Sequence, residues 1–496
     1  MNDRLSSYEL SPNELSSNEL SSNELSSNEP RPGVPVPEDR SAWREETALV
    51  LDTGIRLSHD TSRVITRFFL PGAENVGPGR SRAAAVVERV RALSEEEAVT
   101  ALDDVERRFG DRHRSMRKTW RDHAAQVLAS FPPDAAPATT GGPDPSPVPI
   151  AALTTAKLLL IGAVFTQEYA IEGAALCNPS VVLAPGAGSA RSDGEGSVEF
   201  VMSVRGIGEG HRSTIGFRSG RVSADGSVVV DPPDPFPVVV EPTVGTFRRE
   251  PALPDGSYRV GFAPSGALSS RVLYPYLGVE SGGMEDVRFV RFVDDLGAVS
   301  YLGTYTAFDG LTVRQRLLRT KDFVVFTSLP VNGPGANGKG LALFPRQVNG
   351  RFAALTRSDR ESNGVSFSDD VGFWGEPTHI QDPIHAWEVV QLGNCGSPIE
   401  TDAGWIVLTH GVGALRTYSI GALLLDLEDP TKVIGSTTTP LLVPNIAQPG
   451  GYVPNAIYSC GGFVVGGTMI LPYSIADQSI AIVAVSVPAL LDRMRT

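Results

Sequence analysis

The chain has 496 residues, 41% of them hydrophobic, so a sizeable core is available, and its formal net charge of −14 argues against a general nucleic-acid binder. Three widely spaced cysteines, Cys177, Cys395 and Cys460, offer no disulfide framework and no CxxC metal site, and fit a reducing compartment. No apolar run approaches the roughly 18 residues of a membrane span, and the acidic start lacks the apolar stretch of a signal peptide, so the expectation is a cytoplasmic protein with no membrane partner.

Residues 6–29 repeat the pentad L-S-S-N-E, whose Ser, Asn and Glu cannot bury a core. Residues 1–39 therefore read as a disordered low-complexity tail, stiffened at its end by Pro30–Pro37. Residues 40–130 read as a helical region rich in Arg, Glu and Ala. Ser94 followed by Glu97 predicts a capping box. Arg112, Arg114, Arg117, Lys118 and Arg121 predict a basic helical run, either a face for an anionic partner or a solvated face paired with nearby acids. Residues 131–150 (FPPDAAPATTGGPDPSPVPI) read as a Pro/Gly linker.

From 151 to 496 the pattern is one of short apolar runs broken by Gly, Asp and Pro. Strands are expected at 157–165, 180–183, 199–204, 228–230, 258–262, 287–293, 300–306, 323–327, 351–355, 387–391, 404–409, 421–427, 456–460, 468–471 and 480–487. Such spacing predicts a sandwich, barrel or propeller, and the length favours a propeller, which gathers distant loops around one axial pocket. Gly 51 and Pro 38 fit many turns.

Polar groups no core needs mark the strand ends. SVRGIGEGHRSTIGFRSG offers Arg205, Glu209, His211 and Arg212 among glycines, a fork for an oxyanion. GGMEDVR places Glu285 and Asp286 beside Arg288; strict alternation would let only one of the two acids face a given pocket. A buried acid there could protonate a leaving oxygen. Asn349-Gly350 predicts a hairpin turn, and Arg357 and Asp359 two residues apart would share a face. The stretch LGNCGSPIETDAGWIVLTHGVGALRTYSIGALLLDL sets His410, Arg416 and Tyr418 between two apolar runs. Asp477 follows LPYSIA. The seven histidines are scattered without a metal constellation, and no P-loop, GxSxG or helix-opening GxGxxG is present.

The ordered motifs NPS (178–180), SVRGIGEGHRSTIGFRSG, GGMEDVRF with GTYTAFDG, KGLALFPRQVNGRFAALTRSD, GSPIETDAGWIVLTHGVG with RTYSIGALLLDLEDP, and YVPNAIYSCGG with LPYSIADQSI resemble glycoside hydrolase family 130. The resemblance runs from about Lys157 to the C-terminus. It implies an all-β, five-bladed β-propeller catalytic domain, preceded here by the helical region and the disordered tail. It implies an inverting phosphorylase that cleaves β-mannosides with inorganic phosphate and releases mannose 1-phosphate, with no other cofactor. Some members are inverting hydrolases. By the same resemblance Asp286 is the catalytic acid, and Arg205, Arg212, His410, Tyr418 and Lys339 hold phosphate. Asn178, Glu285, Arg288, Arg357, Asp359 and Asp477 bind substrate, and Arg416 falls to the rim.

Phosphate is already a nucleophile, so a phosphorylase needs one acid and a cationic cradle, whereas an inverting hydrolase needs a second carboxylate to activate water. Glu209 inside the cradle would be that base. The alternatives are thus a hydrolase on the same scaffold, with Glu209 as base, and a non-catalytic carbohydrate-binding propeller. The expected partners are a β-linked mannoside and phosphate, and a homo-oligomer is left open.

Overall fold

The computed structural model describes residues 49–71, 81–130, 153–187, 197–223, 226–243, 254–445 and 450–495. The tail (1–39) and the linker (131–150) lie outside them.

The described chain does not begin with a helix. Val50–Ser58 is a strand that pairs antiparallel with Ser479–Ser486, Val50 opposite Val485, so an early segment joins the sheet formed by the end of the chain. Val64–Phe68 follows and pairs with Thr166–Ala170. The helices are inserted between those two strands: α1 (Arg82–Ala92), α2 (Glu95–Phe109), α3 (Met116–Ser130) and α4 (Thr155–Val164). The helical reading of 40–130 is amended accordingly. The β-branched run Val64-Ile65-Thr66 was a strand signal that the surrounding Arg/Glu/Ala composition masked.

Helix α2 opens as its sequence predicts. The Ser94 hydroxyl accepts from the Glu97 amide at 3.2 Å, and the Glu97 carboxylate accepts from the Ser94 amide at 2.7 Å. The run 157–165, expected as a strand, is helix α4, with Thr154 accepting from the Lys157 amide at 3.3 Å as its cap. A continuous apolar run does not reveal its period; here packing decides. Leu159, Leu160 and Ile161 are buried in one cluster with Trp120, Val127 and Leu128 of α3. At the crossing a Cβ on Gly162 would lie 1.8 Å from the Trp120 carbonyl oxygen, so only glycine fits. The basic run is broken by a short turn between α2 and α3, and most of it is paired: Arg112 with Glu168 at 3.0 Å, Arg114 with Asp234 at 2.8 Å, Lys118 with Asp122 at 2.7 Å, and Arg117 with Glu106. That is the solvated-face reading, since exposed pairs of this kind serve solubility more than recognition.

The described strands that follow pair almost wholly antiparallel. Ala175–Leu183, Val198–Ile207, Ser213–Val222 and Val228–Val230 form one meander. Gly283–Val293, Val299–Phe308, Val313–Thr320 and Val325–Pro330 form a second, with Tyr258–Gly261 on its edge. The two touch through the single parallel register of Gly283 with Ser213. Ala342–Leu343, Phe352–Thr356, Asn363–Ser368 and Thr378–Gln381 make a third group. Gln391–Asn394, Ile399–Thr401, Gly404–Val412, Tyr418–Leu425 and Val433–Ser436 make a fourth. Ile457–Tyr458, Phe463–Val465, Thr468–Ile475 and Ser479–Ser486 complete the last, with Val50–Ser58 on its edge. The chain ends in α5 (Val487–Arg495). The strand expected at 387–391 begins only at Gln391.

Separate apolar clusters lie between neighbouring groups, which is why single strands are buried on both faces. Gly404–Val412 is buried along its whole length. Phe217, Phe289, Phe323 and Phe326 form one such cluster, and burying each ring contributes about 1.5–3 kcal/mol. The Asn349-Gly350 turn is as predicted, with φ of 52° and 74°.

Candidate active site

The strand Gly283–Val293 slips its register between Glu285 and Arg288, and Asp286 adopts a left-handed φ of 54°. This bulge overturns the expected alternation, because an extra residue lets neighbours face the same side. Both carboxylates meet one guanidinium: Arg205 donates to Glu285 Oε1 at 2.7 Å and to Asp286 Oδ1 at 3.0 Å. Lys339 takes the other oxygen of Glu285 at 2.7 Å. A second bulge, between Cys177 and Ser180, turns Asn178 to donate to Asp286 Oδ1 at 2.7 Å. Ser474 fixes the Asn178 amide by donating to its oxygen at 2.9 Å.

These groups line a pocket of about 200 Å³ with Arg288, Arg357, Gln391, His410, Arg416, Tyr418, Tyr458 and Asp477. Four lining residues, Asn178, Asp286, Arg416 and Asp477, are non-glycine residues in left-handed backbone. Each such residue costs on the order of 1–3 kcal/mol, and strain of this kind gathers where geometry serves function. A pocket of about 350 Å³ lies elsewhere, beside Glu199, Arg221, Asp231 and Arg271. Its most buried cation, Arg271, is already bound to the carbonyls of Phe323 and Gly266.

Two further cations, Arg288 and Arg357, line the pocket. Arg288 donates to the Asp286 carbonyl at 3.0 Å and to the Tyr458 hydroxyl at 2.8 Å. Arg357 and His410 Nε2 lie 3.1 Å apart. An arginine can only donate, so Nε2 is the acceptor and the imidazole proton sits on Nδ1. Burial and the charges of Arg357 and Arg288 push the His410 pKa well below its ordinary value, consistent with this neutral form. His410 stacks on Tyr418 with centroids 6.0 Å apart and meets Tyr458 edge-on at 5.0 Å. Gly393 makes room for both partners: a Cβ there would lie 2.6 Å from the His410 ring and 2.8 Å from Arg357 Cδ. The Nε atoms of Arg288 and Arg357 are buried without a hydrogen-bond partner.

The two pocket carboxyls are driven apart. Burial works to raise Asp286, but Arg205, Lys339 and Arg288 outweigh it and bring its pKa down to about 2. Burial and the neighbouring Asp286 charge push Asp477 up to about 6, against Arg205 and Arg416.

Nine of the expected site residues line this one pocket: Asn178, Arg205, Asp286, Arg288, Lys339, Arg357, His410, Tyr418 and Asp477. Glu285 stands behind them, both oxygens occupied. Three more do not line it. Arg212 is held by the Tyr274 hydroxyl at 2.7 Å and the Ser281 carbonyl at 3.1 Å. Glu209 is exposed in a short turn. Asp359 lies beyond the end of its strand and caps a turn, accepting from the Glu361 and Ser362 amides at 2.9 and 3.0 Å. Arg416, expected at the rim, lines the pocket. Tyr458, which the motif reading does not name, also lines the pocket; its signal is a second phenol at a strand end, in YVPNAIYSCGG.

A family model described as beta-1,4-mannooligosaccharide phosphorylase, that of glycoside hydrolase family 130, matches residues 267–496. That stretch holds every residue named above as lining the Asp286 pocket except Asn178 and Arg205. A 1,2-beta-oligomannan phosphorylase of Thermoanaerobacter sp. (strain X514) is 33% identical over 232 residues, covering 45% of this chain and 77% of that protein. A beta-1,2-mannobiose phosphorylase of Listeria innocua is 31% identical over 218 residues, and the chain spans 59% of that protein. The solved beta-1,2-mannobiose phosphorylase of Listeria innocua aligns with 64% of this chain and 93% of its own, at 21% identity and a TM-score of 0.43. The sequence matches make this protein a carbohydrate-active enzyme that works on glycosidic bonds. It belongs to glycoside hydrolase family 130.

Proposed function

We propose that the protein is an inverting phosphorylase of β-mannosides, which transfers the mannosyl group to inorganic phosphate and releases mannose 1-phosphate. The observation that carries this reading is the set of cations that line one pocket with Asp286. Arg205, Arg288, Lys339 and Arg357 all stand there, and phosphate oxygens suit guanidinium and ammonium donors. The hydrolase reading needed Glu209 as a water-activating base, and Glu209 does not line the pocket. In this reading His410 orients Arg357 instead of binding phosphate itself.

The five antiparallel groups, with an early strand closing the last, support a five-bladed propeller. In the proposed reaction the sugar sits between Asp286, Asn178 and Asp477. A phosphate oxygen attacks the anomeric carbon as the bond to the leaving oxygen breaks, and Asp286 supplies that oxygen's proton through a sugar hydroxyl. The cations around it hold Asp286 ionised. Phosphate bound to Arg288 and Arg357 would offset their charge and raise the proton affinity of Asp286, coupling co-substrate binding to acid function. The free, buried state of all three cysteines is in keeping with the proposed cytoplasmic setting.

The test is sugar release from β-1,2-, β-1,3- and β-1,4-linked mannobiose with and without phosphate. Release should require phosphate and yield mannose 1-phosphate, and Arg357→Ala should raise the KM for phosphate by about 10- to 100-fold. Free mannose released at an equal rate without phosphate would overturn the proposal.

A further inference from the structure

The 200 Å³ pocket is small for a ligand site, since pockets that enclose a drug-sized ligand run to about 300–1,000 Å³. If one sugar and a phosphate fill it, as the proposed reaction requires, the second sugar must lie at the mouth. Next to the lining residue Val453 lies a bridge that the pocket chemistry does not use. The hairpin Val198–Ile207 and Ser213–Val222 places Arg205 in the pocket and His211 at its tip. Tyr452 immediately precedes Val453, which lines the pocket. The Tyr452 hydroxyl and His211 Nδ1 are hydrogen-bonded, and the two rings lie 5.8 Å apart at 43°.

Both halves of the bridge are held in place without a ligand. Gly210 and His211 adopt left-handed φ of 70° and 57°, which throws the imidazole off the hairpin. The Tyr169 hydroxyl secures that turn, reaching the carbonyl of Glu209 at 3.4 Å and that of Arg212 at 3.2 Å. On the other side the Val453 amide donates to the Ala476 carbonyl at 2.8 Å, and the Tyr418 amide to the Asn455 carbonyl at 2.9 Å. Tyr452 nevertheless stays 42% exposed. A large ring bound through its hydroxyl and left half-open next to a pocket-lining residue offers a surface for an apolar face. A pyranose has such a face of C–H groups, ringed by hydroxyls.

We infer that His211 and Tyr452 form the wall of the leaving-sugar subsite, with Tyr452 stacking on the ring and His211 bonding a hydroxyl. They are specificity-determining residues, not catalytic ones. The inference rests on the phosphorolysis reading. It is tested in the synthetic direction, with mannose 1-phosphate as donor and mannose as acceptor. Tyr452→Ala should raise the KM for the acceptor about tenfold, and Tyr452→Phe only about two- to threefold, because the stacking ring remains. His211→Ala should fall between them, and the KM for mannose 1-phosphate should hold within about twofold in all three. An unchanged acceptor KM in Tyr452→Ala, or an equal rise for donor and acceptor, overturns the inference. If the wild-type protein shows no phosphate-dependent turnover, the functional reading fails first. Calorimetric binding of β-1,2-mannobiose then decides the subsite, and equal affinity in wild type and Tyr452→Ala overturns it.

Discussion

Glu280 and Asp286 both sit among arginines and phenols, and they are finished differently. Glu280 is fully buried. Its Oε1 accepts from the Tyr258 and Tyr305 hydroxyls and pairs with Arg316 at 3.3 Å, while its Oε2 accepts from the amides of Tyr276 and Leu277, each at 3.1 Å. Every lone pair has a use inside the protein. Asp286 is the contrary case: both Asn178 and Arg205 bind Oδ1, and Oδ2 is left to the pocket. The same contrast holds between neighbours in sequence, since Glu285 spends one oxygen on Arg205 and the other on Lys339. A saturated carboxylate ties elements together, whereas one bound on a single oxygen can still trade a proton.

The largest expected effect tests that division directly. Asp286→Asn should lower kcat/KM for phosphorolysis by about 10²- to 10⁴-fold, the usual worth of a general acid, with the folded signal in circular dichroism retained. Activity near wild type would move the acid role elsewhere. Glu280→Ala should act on the other side of the comparison. It leaves Arg316 buried without its acid, at a cost of about 3–5 kcal/mol in denaturant unfolding, and the folded fraction should keep its KM for phosphate. A matching loss of catalytic rate per folded molecule would erase the distinction.

The smallest effect concerns Asp477. Its pKa in the folded protein, about 6, lies above the ordinary carboxylate value of 3.8. Between those values the folded state holds the extra proton, so stability falls as pH rises through that window. Asp477→Asn should therefore stabilise the protein by about 1–3 kcal/mol near pH 8 and by almost nothing near pH 4. A gain equal at both pH values would mean that packing, not ionisation, is responsible.

Much of this was legible in the chain. The capping box at Ser94, the Asn349-Gly350 turn and the hairpin carrying His410 and Tyr418 rest on contacts between near neighbours, which local pattern records. The motifs also named most of the pocket, because the glycines around them mark where backbone and ligand come close. Errors arose where distant packing decides. Helix α4 is helical because α3 offers Gly162 a close seat. Glu209 and Arg212 share a Gly-rich tip with His211, yet Tyr169 and Tyr274 bind that tip and neither residue lines the pocket. Asp359 was placed on a strand that ends at Thr356.

Periodicity, turn residues and motif order are properties of the chain, and they establish the β-rich class, the family and the set of chemical groups available. Which of those groups meet is set by long-range packing. A register slip beside Asp286 turned two adjacent acids toward one arginine, left-handed residues aimed Arg416 and Asp477 inward, and a neutral His410 became the support of Arg357. Those outcomes depend on contacts between residues tens to hundreds of positions apart, and no local pattern encodes them.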